Sequence, residues 1–377
     1  MAARERDFTA PTVQLLTHEG RLQPTPEAEP YLPLVEALDD ATLQRFYRDM
    51  AVSRRLDLTG ANLQRQGQLA LWVPSHGQEA AQVGSAHAAR PQDHLFPSYR
   101  EHIVGMIRGL DPVGILALLR GVTQGGWNPE ESGNFHLYTL VLASQTLHAT
   151  GYAMGLQFDG ATATGDPESD AAVLVYYGDG STSQGDASEA LVFAASYQTP
   201  QVFFVQNNQW AISVPVARQS RTPLSLRGAG FGMPSVRIDG NDVLVSYAVT
   251  RQSLEEARAG EGPSFIEALT YRMGAHTTAD DPTKYRTDDE VAYWAERDPI
   301  IRDRTWLESR GASAAFFDEV EQEAADLSAD VRRRTLELEA PTRETIFSHV
   351  YSEPHPLMTE QLAWLDTFET SFEGGEA

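Results

Sequence analysis

The chain contains no cysteine. Disulfides, thiolate nucleophiles and cysteine-held metals are thereby excluded, and any metal must be bound through oxygen or imidazole. No apolar run approaches the roughly 18 residues of a membrane helix. The start, MAARERDFTAPTVQLL, lacks the long apolar segment of a secretory signal. Positive charge is scarce: 29 Lys and Arg stand against 53 Asp and Glu, a net of −24. No cluster of basic residues offsets that excess. A chain this acidic repels polyphosphate backbones and anionic bilayers, so neither nucleic acid nor a membrane is an expected partner. The expected compartment is the cytoplasm.

What is present suits a folded α/β protein. The chain has 377 residues and is 41% hydrophobic, enough for one large domain with appendages. Residues 1–40 read as an irregular arm, because Pro11, Pro24, Pro26, Pro30 and Pro33 crowd together and proline removes backbone donors. From Asp39 onward, Leu43, Phe46, Tyr47, Met50, Leu56 and Leu63 recur at helical spacing and predict a long helix ending near Gly67. Ala171–Tyr177 is a continuous apolar run closed by glycine, the pattern of a strand buried on both faces. Glu189–Tyr197 predicts a helix, and Gln201–Val205 and Phe265–Leu269 predict further strands. Strand–helix–strand alternation implies a parallel sheet flanked by helices. Later, Phe316, Val320, Ala324, Leu327 and Val331 mark the apolar stripe of one more helix, with Pro341 beyond its end. The terminal FEGGEA is expected to fray. The expected organisation is an N-terminal arm over 1–40, an α/β domain over 41–295 and a helical C-terminal extension over 296–377.

The strongest local feature spans residues 176–213, YYGDGSTSQGDASEALVFAASYQTPQVFFVQNNQWAIS. One predicted strand ends at Gly178-Asp179-Gly180, and the next at Asn207-Asn208. In parallel α/β sheets, ligands bind beyond the carboxyl ends of the strands. Asp179 and Asn208 lie 29 positions apart, which suits one crossover helix, so both should project into one crevice. A carboxylate and a carboxamide are hard oxygen ligands of the kind magnesium accepts alongside water and phosphate oxygens. Glycines beside Asp179 let the backbone approach a diphosphate, and the next helix offers free N–H groups to it. Alone, GDG is a common turn and NN a common strand end. Each placed after a buried strand, with a helix between them, they point to a metal-bridged diphosphate.

This pattern resembles the thiamine diphosphate motif. Five further segments appear in order: RQGQLALWVPSHGQEAAQVGSA, FPSYREH, LASQTLHATGYAMG, VRIDGNDVLVSYAV and YRMGAHTTADDPTKYR. Together they resemble the α subunit of the heterotetrameric decarboxylating component of 2-oxo acid dehydrogenase complexes, strongly over residues 40–310. The resemblance implies a thiamine diphosphate-binding fold with thiamine diphosphate and Mg2+ as cofactors. It implies metal binding by Asp179, Asn208 and the carbonyl of Trp210, with Gly180 and Ser181 along the diphosphate. It further implies Tyr99 and Arg100 as diphosphate donors, Leu142 beneath the aminopyrimidine ring, and His276 as a catalytic histidine on a loop beside the thiazolium. Tyr285 and Arg286 would order that loop, with Asp280 and Asp281 as salt partners.

Two departures stand out. Gln206 occupies a position where some relatives place a phosphate-binding arginine, and Leu140 one where some place a serine. Gln206 can still donate a hydrogen bond to the cofactor, without charge. The implied reaction is oxidative decarboxylation of a 2-oxo acid and transfer of the acyl group to a lipoyl group on the acyltransferase component. The carboxylate that activates the cofactor is expected from a separate β subunit in an α2β2 assembly. The loop and NN segments look most like branched-chain 2-oxo acid enzymes, such as those for 3-methyl-2-oxobutanoate. A pyruvate dehydrogenase α subunit and a non-catalytic scaffold subunit are the alternatives.

Overall fold

The computed structural model describes residues 12–123 and 125–373. Pro11 and residues 374–377 of the expected frayed end lie outside them. Seven strands are named in chain order: β1 (His94–Phe96), β2 (Val173–Gly178), β3 (Gln201–Asn207), β4 (Trp210–Ala211), β5 (Val214–Pro215), β6 (Ser235–Asp239) and β7 (Ser264–Leu269). Five of these form one parallel sheet in the order β1-β2-β3-β7-β6, and β4 and β5 make a small antiparallel hairpin. The sheet is an α/β core because its strands are apolar on both faces. Leu174, Tyr176, Phe204 and Ile266 join one core cluster, while Val173, Val175, Tyr177, Phe203 and Phe265 join the other. That alternation is the period-two geometry of a strand.

The helices that matter to the site are α1 (Asp40–Arg65), α2 (Glu79–Ala88), α3 (Ser144–Phe158), α4 (Gly185–Tyr197), α5 (Ser225–Gly230) and α6 (Val243–Arg258). Beyond them come α7 (Pro299–Ser309), α8 (Ala314–Leu336), α9 (Arg343–Ser348) and α10 (Pro356–Glu373). Helices α2 and α6 share the first cluster, α3 and α4 the second, so the sheet is covered on both sides. Gly84 permits the close approach of α2 to α6: a Cβ there would stand 2.6 Å from the Val243 carbonyl oxygen. The predicted first helix is α1, begun by Asp39, whose carboxylate accepts from Thr42 N at 2.8 Å. The predicted late stripe falls within α8, where Phe317, Val320, Ala324 and Val331 are buried. Helices α7 and α8 bury Trp306, Leu307 and Phe317 in the same cluster as α1.

The N-terminal arm is more ordered than its prolines suggest. Leu15 and Leu16 are fully buried, and Val13 bridges to Ile238 of β6. Asp242 explains this: its Oδ2 accepts from Leu15 N and Leu16 N at 2.7 Å each, while its Oδ1 caps α6 through Leu244 N. One carboxylate thus satisfies a helix end and the arm together. Among the described residues no helix is long and apolar enough to cross a membrane.

Candidate active site

The register of β2 and β3 sets the site. Gly178 lies opposite Gln206, so Asp179 leaves β2 one residue later and Asn208 leaves β3 two residues later, at the same edge of the sheet. A cavity of about 550 Å³ opens there, and every residue nominated above for the cofactor, the metal or catalysis lines it.

Asp179 is 1% exposed, and burial pushes its carboxyl up to about 6, although Gln219 Nε2 donates to Oδ2 at 3.0 Å. Burial of a carboxylate with so little compensation is unfavourable unless a cation completes the site. Asn208 is also buried, and its Nδ2 donates to Gln78 Oε1 at 3.3 Å. Gln78 Nε2 is buried with no hydrogen-bond partner among the described residues. The Trp210 carbonyl accepts from Arg272 Nη1 at 3.0 Å and keeps a second lone pair. Carboxylate, carboxamide and carbonyl form a hard oxygen set, and the orphaned Gln78 donor suits an anion, so the residues present fit magnesium and a diphosphate. Glycine is required at 180 because a Cβ would lie 2.8 Å from that of Ala211 in the hairpin. Ser181, buried, follows it into the turn.

Backbone strain gathers at the same rim. Of the six described non-glycine residues with positive φ, three border the cavity: Ala143 at 72°, Gln209 at 70° and Ile212 at 53°. Each costs of order 1–2 kcal/mol and persists only where surroundings hold it. Ala143 turns the chain after Leu142, Gln209 turns it between Asn208 and Trp210, and Ile212 forms the hairpin tip.

His276 enters on the loop after β7. Its N donates to Asp280 Oδ2 at 2.8 Å, and its carbonyl accepts from Arg100 Nη2 at 3.1 Å. Its Nδ1 faces two guanidiniums, Arg100 Nη2 at 3.3 Å and Arg272 Nη1 at 3.5 Å. A guanidinium only donates, so Nδ1 must accept and the proton resides on Nε2. Burial, then the charges of Arg100 and Arg272, hold the ring down to about 4. At neutral pH His276 is therefore an uncharged Nε2–H donor. Tyr99 lies edge-on to it, with ring centroids 6.3 Å apart.

Several of the nominated side chains are engaged within the chain. Arg100 lines the cavity, but its guanidinium binds the Pro74 carbonyl and the His276 loop. Gln206 is buried with both ends of its amide engaged: Nε2 donates to Glu101 Oε1 at 2.5 Å, and Oε1 accepts from Gln82 Nε2 at 3.0 Å. Tyr285 does order the loop, donating its hydroxyl to Asp280. Arg286 does so without a carboxylate, through the carbonyls of Arg272 and Met273. Asp281 is not part of that clasp. It accepts from Thr283 N and lies 3.8 Å from Lys284. Leu140 is 70% exposed at the rim.

Sequence reasoning missed Gln78, Glu101, Gln219 and above all Arg272. Arg272 is fully buried and ties the Trp210 and Ile212 carbonyls to His276 and the Tyr285 hydroxyl. The available signal was its place four residues before His276, on the strand exit that bears the loop.

Comparison with known proteins identifies the family. The profile of the dehydrogenase E1 component family matches residues 47–338. A protein of Mycobacterium tuberculosis named 3-methyl-2-oxobutanoate dehydrogenase subunit alpha is 43% identical over 351 residues, 93% of this chain and 92% of that protein. The pyruvate dehydrogenase E1 component subunit alpha of Acholeplasma laidlawii is 37% identical over 338 residues, 88% and 93% of the two chains. That of Staphylococcus aureus is 36% identical over 318 residues, 84% and 83%. With a family match across most of its length and relatives of this similarity, the chain belongs to the dehydrogenase E1 component family.

Proposed function

We propose that the chain is the α subunit of a 2-oxo acid dehydrogenase acting on branched-chain substrates such as 3-methyl-2-oxobutanoate, with thiamine diphosphate and magnesium as cofactors. The observation that carries this reading is the convergence of separate sequence segments on one crevice, with hard oxygen ligands at one side and a neutral histidine donor at the other. Asp179, Asn208 and the Trp210 carbonyl would hold the metal, with Gly180 and Ser181 along the diphosphate. When bound, thiamine diphosphate supplies a carbon nucleophile and an electron sink for decarboxylation. Leu142, Ile212 and Val214 give the crevice apolar walls that limit water. His276, through Nε2–H, would donate to the oxygen on which charge develops, and Arg100 and Arg272 hold that tautomer.

Among the described residues two acidic side chains line the crevice, Asp179 and Glu101. Glu101 Oε2 already accepts from Ser98 N and Oγ at 2.7 and 2.8 Å, and its Oε1 from Gln206. Neither is free to activate the cofactor's aminopyrimidine, which favours a carboxylate from a β subunit. Exposed apolar side chains suit such a partner: Leu140 and Val141 at the rim, and, away from it, Leu147 and Tyr152 on α3 and Phe193 and Tyr197 on α4. The acyl group would pass to a lipoyl group on the acyltransferase component.

The test is turnover by the chain assembled with its β partner, comparing 3-methyl-2-oxobutanoate with pyruvate. A kcat/KM at least about tenfold higher for the branched substrate is expected, since a pocket distinguishes a methyl or two by roughly 1–3 kcal/mol. A preference for pyruvate would replace the substrate, and no turnover of either would leave the scaffold reading.

A further inference from the structure

A second cavity, of about 180 Å³, lies on the α3–α4 side of the sheet, between α4 and α5. Its floor is formed by Tyr177 and Phe265, whose rings meet edge-on with centroids 6.5 Å apart. Tyr177 is 1% exposed, yet its hydroxyl has no hydrogen-bond partner among the described residues. A buried phenol is normally paired, so this one points to a missing acceptor. Arg227, half-buried on α5, stands over the same space and donates from Nη1 to the Thr182 carbonyl. The walls are otherwise apolar, chiefly Leu191, Leu226 and Phe231, with the hydroxyl-bearing Thr182 and Ser188 at the edge. Among the described residues no acidic side chain lines the cavity, in a chain rich in them.

A guanidinium beside an orphaned phenol matches one ligand group, a carboxylate. The apolar walls match an alkyl chain and disfavour phosphate or a sugar. The volume corresponds to about six water molecules at ~30 Å³ each, which restricts the ligand to a short chain. We propose that this cavity binds a short-chain aliphatic carboxylate, with its oxygens on Arg227 and the Tyr177 hydroxyl and its alkyl group against Leu191, Leu226 and Phe231. The site is separate from the crevice above and does not rest on the function proposed there.

The experiment is calorimetric titration of the full chain with 3-methylbutanoate, using 3-methylbutanamide and acetate as probes of charge and chain length. Saturable binding at one site is expected, with both comparators about tenfold weaker or worse. Arg227→Met should weaken binding by about tenfold or more, and Tyr177→Phe by roughly threefold. Gly230→Leu is a second route to the same result. Gly230 lines the cavity and a Cβ there meets nothing within 4 Å, so a leucine at its edge is accommodated without moving backbone. Arg100→Met, in the larger crevice, should leave the affinity unchanged. Absence of saturable binding overturns the proposal. So does binding that survives Arg227→Met and Gly230→Leu, or a structure of the assembled protein in which a partner side chain fills the cavity.

Discussion

The crevice at the end of the sheet and the helical hairpin at the end of the chain are built from opposite materials. In the crevice, Asp179, Asn208, Arg100 and Arg272 are charged or polar, buried, and joined by hydrogen bonds within this chain. In the hairpin of α9 and α10, the large side chains are apolar and lie outside. Trp364, Phe368 and Phe372 form a ladder along α10, with centroids 5.2 and 4.9 Å apart, and the first and last are each 65% exposed. The hairpin is held to itself by Arg343, which binds Asp366 and Glu369. Polar groups buried together at a crevice suit a ligand. Apolar rings gathered in water suit another surface.

The sharpest break in that contrast is Asp179→Asn. It should weaken magnesium-dependent thiamine diphosphate binding by roughly 100-fold or more, because even the outer partners of metal ligands are worth 10–100-fold. Tryptophan fluorescence titration, with Trp210 beside the site, reads this directly. Unaltered affinity would remove Asp179 from the metal. His276→Ala comes next. Turnover of the assembled enzyme should fall by about 100-fold, the scale of a proton donor, while cofactor affinity stays within roughly threefold. Equal losses in both would make His276 a binding residue only. Removing residues 343–377 should have the reverse profile: cofactor affinity of the isolated chain within about twofold, but association with the β partner weakened by about tenfold or more, as for loss of aromatic anchors. Sedimentation of the mixed subunits would expose a failure.

The smallest effect is on stability. Burial raises the Asp179 carboxyl from 3.8 to about 6, so the folded, metal-free chain holds this proton more tightly than the unfolded one. Its contribution to stability therefore declines as pH rises from about 4 to about 6, and stays low above that. The loss amounts to at most about 3 kcal/mol. Asp179→Asn should then raise the Tm of the metal-free chain by roughly 2–5 °C at pH 7 and leave it unaltered near pH 4. A lower Tm at pH 7 would mean that burial does not strain this group.

Much of the crevice was legible because its residues end apolar runs. Asp179 and Asn208 follow β2 and β3, whose continuous apolar runs read as buried strands. His276 was legible only through its segment, since nothing local separates it from the chain's other histidines. Glu101, Gln78 and Arg272 were hidden for a physical reason. Each has a decisive partner distant in sequence, Gln206 for Glu101, Asn208 for Gln78 and the Trp210 and Ile212 carbonyls for Arg272, and a polar residue in a short polar segment reads as surface until the fold buries it. The arm misled for the same reason, because Asp242 secures Leu15 and Leu16 across more than 220 positions. Strand β1, at three residues, and β6, with arginine at its centre, gave too little apolar pattern to predict.

The pairing of Gly178 with Gln206 has a consequence for how such a site evolves. Adjacent parallel strands are held about 4.8 Å apart whatever connects them. The sheet is the ruler, and the crossover through α4 is slack. Residues added or lost between Tyr197 and Pro200 would alter the interval from Asp179 to Asn208 without moving either side chain. A relative with a longer interval could hold the same metal, and a chain with the same interval but a slipped strand could not.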